Sequence, residues 1–277
     1  MTVGTPPVAE LNNSAQTWFY QIKSDIRAAS ESVELRYENI SEDKGALLVD
    51  SLSEDSDVER YRPRFSYNSF VKALNVLVMP TEVHDVHQHW ISSEKLDMVL
   101  GGFLTAAEGH ALTLGVGTTI NHLNGPYTGS RKDPDMLIRH ELEPLPSIAI
   151  ESGWAESLPR LHADMRLWLV GGEPDVQLVI ILRWSKISGT PIQRVKGKYE
   201  IWERDTANTP YCKDSGAIFP PPPANLGPQV IPITRAQLFG PAHIFPGQNG
   251  TDIWNLRVDL LRTWASKAIN RMGYIPA

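Results

Sequence analysis

The sequence predicts an α/β protein, a mixed central sheet flanked by helices. Two observations carry this. Residues 176–184 are apolar almost throughout, as a strand covered on both faces is. Just before them, Leu158, Leu161, Met165, Trp168 and Leu169 recur at helical spacing, and Ile148 and Ile150 form a short apolar strand ahead of that helix. Strand, helix, strand in that order belongs to an α/β sandwich and not to a bundle.

The other elements follow in order. Trp18, Ile22 and Ile26 make one apolar stripe on a helix over residues 14–30. Residues 41–59, acidic and serine-rich, read as a loop or mobile connection. Phe65, Tyr67, Phe70, Val71, Leu74, Val76 and Val78 suggest extended or mixed structure over 64–79. Thr81 can cap a helix running to about Glu108, with Val83, Val86, Trp90, Leu96, Val99 and Leu100 on its core face. Residues 111–120 are a strand candidate, and Asn124-Gly125-Pro126 a turn. Ser157 can cap the helix of the central segment, with Pro159 in its first turn and Gly171-Gly172 at its end. Over 195–203, Val195, Tyr199 and Ile201 alternate with Lys196, Lys198 and Glu200 as in a strand. Residues 219–223 form a stiff polyproline connector, and a last helix spans about 252–272, with Ile253, Leu256, Leu260 and Trp264 facing the body.

Composition bounds the function classes. A chain of 277 residues with 42% hydrophobic content and eight tryptophans builds a packed core. One cysteine, Cys212, excludes an internal disulfide framework. No basic-then-apolar leader and no apolar stretch of bilayer length is visible, so the expectation is a soluble, cytoplasmic protein without a membrane partner. The net charge of −6 is uneven. Residues 1–60 hold 12 acidic and 5 basic side chains, which leaves the remainder at +1. The expected organisation is therefore an acidic N-terminal extension with one helix (1–60) and a single α/β domain with a C-terminal helix (61–277). A near-neutral body permits a nucleic-acid partner without requiring one.

The chemistry-bearing residues gather around the central strand. Asp135 follows Pro134 in a turn, and Glu151 ends the strand. Two carboxylates delivered in this way can hold a divalent cation that activates water and steadies phosphate oxygens. The plainer reading has Asp135 capping a turn and Glu151 paired with Arg160. His84 and His87 are helical neighbours while His89 falls away, which is poor geometry for a three-histidine zinc site. His84 is expected near Asp85 at the acidic site, and His87 and His89 as surface or capping histidines. Ser152, close to Ser157 and Glu156, offers a hydroxyl beside a carboxylate, which can accept an acyl group once a base takes its proton. Arg131-Lys132 and Arg194, Lys196 and Lys198 supply phosphate-binding charge on both sides of the presumed cleft.

Three blocks carry a family resemblance: Met79-Pro80-Thr81-Glu82-Val83-His84-Asp85, Pro134-Asp135, and the run from Pro146 through Glu151-Ser152-Gly153-Trp154 to Leu169. Together they span roughly residues 64–205 and resemble the PD-(D/E)xK nuclease superfamily, in particular a group of small fungal proteins built on that fold. The resemblance implies a restriction-endonuclease-like core, Asp135 and Glu151 as ligands of Mg2+, and Asp85 or Glu82 assisting. It also implies a lysine two residues after the glutamate, where this chain has Gly153. Arg160 or Arg166 would have to replace it, yet arginine stays protonated and is no lysine-like base.

That departure turns the expectation from cleavage towards acyl transfer, as in the fungal arginine-containing cyclodipeptide synthases, which join amino acids taken from aminoacyl-tRNA. In such a synthase no cofactor is required. Asp135 and Glu151 would grip a guanidinium or amine, Glu151 would serve as base and Ser152 as acyl acceptor, with Asp85 beside them. Trp154, Arg160, His84, Lys196 and Lys198 would bind substrate. The alternatives are a Mg2+-dependent nuclease and a non-catalytic nucleic-acid-binding module.

Overall fold

The computed structural model describes residues 14–154, 157–187 and 193–277. Residues 1–13 of the expected extension, and Glu156, lie outside the described residues.

The protein is mixed α/β, and its central element is a seven-stranded sheet. Strands β4 (Leu112–Gly115), β6 (Met136–His140), β7 (Ile148–Trp154), β8 (Leu178–Ile187), β9 (Arg194–Arg204) and β10 (Pro210–Phe219) lie side by side in that order, and β13 (Ile275–Pro276) joins β9. The pair β7–β8 is parallel, with Glu151 opposite Ile181, because α6 (Leu158–Arg166) carries the chain back across the sheet between them. A π-helical turn, Leu167–Gly171, continues α6.

Both faces of this sheet are covered, as the apolar run over 176–184 predicts. Ile148, Ile150, Ile180, Leu182 and Trp184 pack towards α4 (Val86–Leu100) and α8 (Val258–Arg271). Ala149, Val179 and Ile181 pack on the other face against Leu161, Met165 and Trp168.

A second sheet is antiparallel, in the order β1 (Val33–Tyr37), β3 (Ala73–Val78), β2 (Arg64–Asn68), β5 (Arg131–Lys132). One face is roofed by α1 (Ala15–Ala28), α2 (Glu42–Ser53) and α3 (Ser56–Glu59), which bury Ile22, Ile26, Leu48, Val49, Leu52 and Val58 against Phe65, Tyr67, Leu74 and Val76. A small hairpin of β11 (Val230–Thr234) and β12 (Ile253–Arg257), with α7 (Arg235–Phe239) between, completes the body.

Four expectations need correction. Residues 41–59 are not a loop: Gly45, Leu48, Val49 and Leu52 form the buried side of α2, and the acidic residues that dominate the composition face outward. The boundary at residue 60 is not a structural one, because β1 pairs with β3 from Val33↔Val78 to Tyr37↔Leu74. The helix expected from Thr81 to Glu108 is a turn, then α4, then α5 (Ala106–Ala111). Gly102, at φ +73°, breaks it, and a capping box of Thr105 and Glu108 restarts it. The helix expected from residue 252 begins only at Val258, so Ile253 sits exposed on β12 instead of on a core-facing helix.

Candidate functional site

The two sheets meet at a buried layer of charge. Strand alternation on β2 sends Phe65 and Tyr67 under the α1–α3 roof and turns Arg64 and Ser66 the other way. Lys132 pairs with Ser66 in register. Against these come Asp135 at the start of β6, Glu151 on β7, and Arg160 and Asp164 from α6. Glu34 arrives from β1, and His84 and Asp85 from the turn leading into α4.

Two linked ion systems result. In the first, Asp135 Oδ1 accepts from Arg64 at 2.8 Å, and its Oδ2 accepts from the Ser152 backbone N–H at 2.7 Å. The other guanidinium nitrogen of Arg64 reaches Asp85 at 2.8 Å. His84 bridges the two acids, with Nδ1 2.9 Å from Asp85 and Nε2 3.5 Å from Asp135. In the second, Lys132 Nζ donates to Glu151 at 2.8 Å and to Asp164 at 3.0 Å. The other oxygen of Glu151 accepts from Trp168 Nε1 at 2.7 Å. Asp164 also takes Ser66 Oγ at 3.1 Å and Arg160 at 2.8 Å. Arg160 is ion-paired with Glu34, whose second oxygen accepts the Ser157 hydroxyl.

Burial sets the electrostatics. Glu151 is fully buried, and Lys132, Asp135 and Asp164 nearly so. Burial pushes the Glu151 carboxyl upward, and Asp135 and Asp164 add to the shift against the pull of Lys132. For Asp135 burial acts in the same direction, but His84, Arg64, Lys132 and Arg160 outweigh it and hold the carboxyl well below its usual range. Lys132 is opposed by burial, yet Asp164 and Glu151 keep it charged with its pKa raised.

Sequence and structure differ at several of these residues. Glu151 pairs with Lys132 and not with Arg160. The basic group missing at residue 153 is thus present at the acid, but it comes from β5, just before Asp133-Pro134-Asp135. Gly153 itself is packed close: a Cβ there would lie 3.2 Å from both the Arg160 guanidinium and Ser157 Cβ. His87 is not at the surface. It is fully buried, and its Nε2–H donates to the Asp135 carbonyl at 3.1 Å. Ser152 does not join Glu151: its Oγ accepts from Trp184 Nε1 at 3.2 Å, on the opposite face of β7. Arg166 and Glu82 are exposed and take no part in the network. Lys196 and Lys198 are exposed on β9, where Lys198 stands in the cross-strand row Gly153–Arg183–Lys198, about 10 Å from Gly153 by strand spacing.

Glu34 and Asp164 are site residues that sequence reasoning missed. Glu34 lies in the segment read as an extension. Asp164 lies off the apolar stripe of α6 that its sequence displays. Its i,i+4 spacing from Arg160 was the available signal.

The donor set does not suit Mg2+ as arranged. Both oxygens of Asp135 and both of Glu151 already accept from protein donors, whereas Mg2+ requires near-octahedral oxygen ligation. The void inside the network is only about 10 Å3. Space opens just outside it, in a cleft of about 270 Å3 walled by Glu34, His84, Gly153, Trp154, Ser157 and Arg160. A second cleft of about 460 Å3 adjoins Asp85 from the other side, lined by Arg62, His89, Trp264 and Lys267. No helix among the described residues is long and apolar enough to cross a membrane. No family model matches the chain, and neither a curated protein nor a solved structure shows significant similarity to it.

Proposed function

We propose that the protein is an aminoacyl-tRNA-dependent acyltransferase of the cyclodipeptide-synthase kind, built on a PD-(D/E)xK-like core whose buried acids have become scaffold. The observation that supports this best is the Ser157 hydroxyl, held by Glu34 at the wall of a 270 Å3 cleft next to Trp154 and Gly153. A cleft of that size takes a small substrate such as an amino acid. The acyl-acceptor role expected of Ser152 passes to Ser157, because Ser152 is sealed against Trp184.

In this reading Glu34 takes the Ser157 proton as Oγ attacks the ester carbonyl of an aminoacyl-tRNA. The C–O bond to the terminal ribose breaks, and the ribose hydroxyl leaves with that proton. Arg160, on the same wall, is the cation available to the developing oxyanion. The amine of a second aminoacyl ester then attacks the acyl-serine, forming the first amide and restoring the hydroxyl. The free amine of the resulting dipeptidyl ester closes the ring and releases the second tRNA. The buried Lys132–Glu151–Asp164 system fixes α6, and so the cleft wall, against both sheets.

The test is incubation of the full chain with charged tRNA and mass detection of cyclic dipeptides. Formation insensitive to chelator, reduced about 100-fold or more in Ser157→Ala, is the expected result. Mg2+-dependent cleavage of nucleic acid abolished by Asp135→Ala would overturn it in favour of a phosphodiesterase, a reading favoured by Lys132 standing beside Glu151. Tight nucleic-acid binding with neither activity would leave a binding module.

A further inference from the structure

A second cluster of ligand-type side chains lies well away from the charged layer. Asp135 precedes β6 and His140 ends it, so the strand separates the two places by about 17 Å. At that far end His140 meets Glu143, from the turn after β6, and His243, from the short turn Pro241–His243 that follows α7. The donor atoms of all three lie within 4.8 Å of one another.

We propose that His140, Glu143 and His243 form a binding site for a divalent transition cation of the zinc type. Four features converge on this. The donor set, two imidazoles and one carboxylate, is one that Zn2+ takes with a fourth position open to water. The imidazoles of His140 and His243 stack at 4.4 Å and 11°, which brings two ring-nitrogen donors side by side. His140 Nδ1 is buried and has no hydrogen-bond partner. Phe239 and Phe245 stand edge-on to His140 at 6.2 and 6.0 Å, forming an apolar wall of the sort that limits water at a metal centre.

The closure required is small. Metal–ligand bonds of about 2.0–2.1 Å in a tetrahedron place donor atoms roughly 3.3 Å apart. His243 Nε2 and Glu143 Oε1 already stand 3.6 Å apart, and their side chains are 35% and 46% exposed, so rotation about side-chain bonds is free to draw them in. The bound cation would tie the β6–β7 turn to the segment after α7, which are about 100 residues apart in the chain, and would stabilise the folded form by mass action.

The experiment uses the full chain stripped with chelator and titrated with Zn2+ and with Co2+, reading stoichiometry, thermal midpoint and the visible Co2+ spectrum. One cation per chain, a raised midpoint and a tetrahedral Co2+ spectrum are expected. His243→Ala and Glu143→Gln, both at exposed side chains, should each weaken binding more than about 10-fold while leaving the near-ultraviolet circular dichroism unchanged. Absence of stoichiometric binding overturns the proposal. So does binding that persists undiminished in both variants.

Discussion

Lys132 shows what a single residue contributes at the junction of the sheets. Its ammonium group is enclosed by Glu151 and Asp164 and shut off from solvent. Lys132→Met therefore leaves the buried Glu151 carboxyl without a cation, with only the Trp168 indole as donor, while Asp164 keeps Arg160, and we expect a loss of about 3–5 kcal/mol in urea unfolding. Adding Glu151→Gln should recover part of that loss, because the stranded carboxyl is then removed; further loss in the double variant would contradict the pairing. His87 gives a cleaner titration. Burial lowers its pKa from 6.5 to about 4, against the smaller opposing pull of Asp135, so the folded protein holds it neutral while the unfolded chain protonates it. A depressed histidine contributes its stability above the unfolded value and loses it as pH falls from 6.5 towards 4, by about 3 kcal/mol in all. Stability measured at pH 6.5, 5 and 4 should fall less steeply in His87→Phe than in the parent. Parallel curves would show that His87 does not titrate this way.

At the scale of elements, α2 is the informative case, because its composition argued for a loop and its packing makes a helix. Gly45 lies directly under the Tyr67 ring, which is fully buried and donates its hydroxyl to the Ile40 carbonyl at 2.9 Å. Gly45→Ala gains up to about 1 kcal/mol of helix propensity but drives a methyl into a ring that has nowhere to move, at about 1–3 kcal/mol. The packing term should win, and the variant should unfold at lower urea; a stabilised variant would mean that α2 does not seat on β2. The same contrast explains what the sequence disclosed. Strands β7, β8 and β9 and helix α6 were legible because each carries an apolar pattern of the right period; Asp135 was legible as the residue just before β6, and Glu151 as the acid after the apolar start of β7, although it does not end that strand, which runs on to Trp154. Lys132 was not, because β5 has only two residues and no periodicity, and its reach to Glu151 depends on pairing with Ser66, far away in sequence. Glu34 was hidden in an acidic segment, where one carboxylate among 12 has no local mark. Ser152 and Glu151 are adjacent in sequence but point to opposite faces of one strand, a consequence of period two that motif reading overlooks.

For the whole molecule the question is whether residues 61–277 form a body to which the first 60 residues are appended. The packing answers through area. Removing residues 1–60 takes away β1, α1, α2 and α3, and uncovers Phe65, Tyr67, Leu74, Val76 and Val78 at once. Five large side chains returned to water at about 1.5–3 kcal/mol each amount to roughly 10 kcal/mol, which is comparable to the whole stability of an ordinary domain. The cut also strips Glu34 from Arg160 and from the Ser157 hydroxyl, so the cleft loses a wall and the buried network one of its carboxylates. We expect a fragment of residues 61–277 to lack a cooperative thermal transition and to bind a hydrophobic dye, while the full chain unfolds in a single step seen alike by tryptophan fluorescence and far-ultraviolet circular dichroism. A fragment with a sharp transition and native near-ultraviolet signal would restore the first 60 residues to the status of an extension.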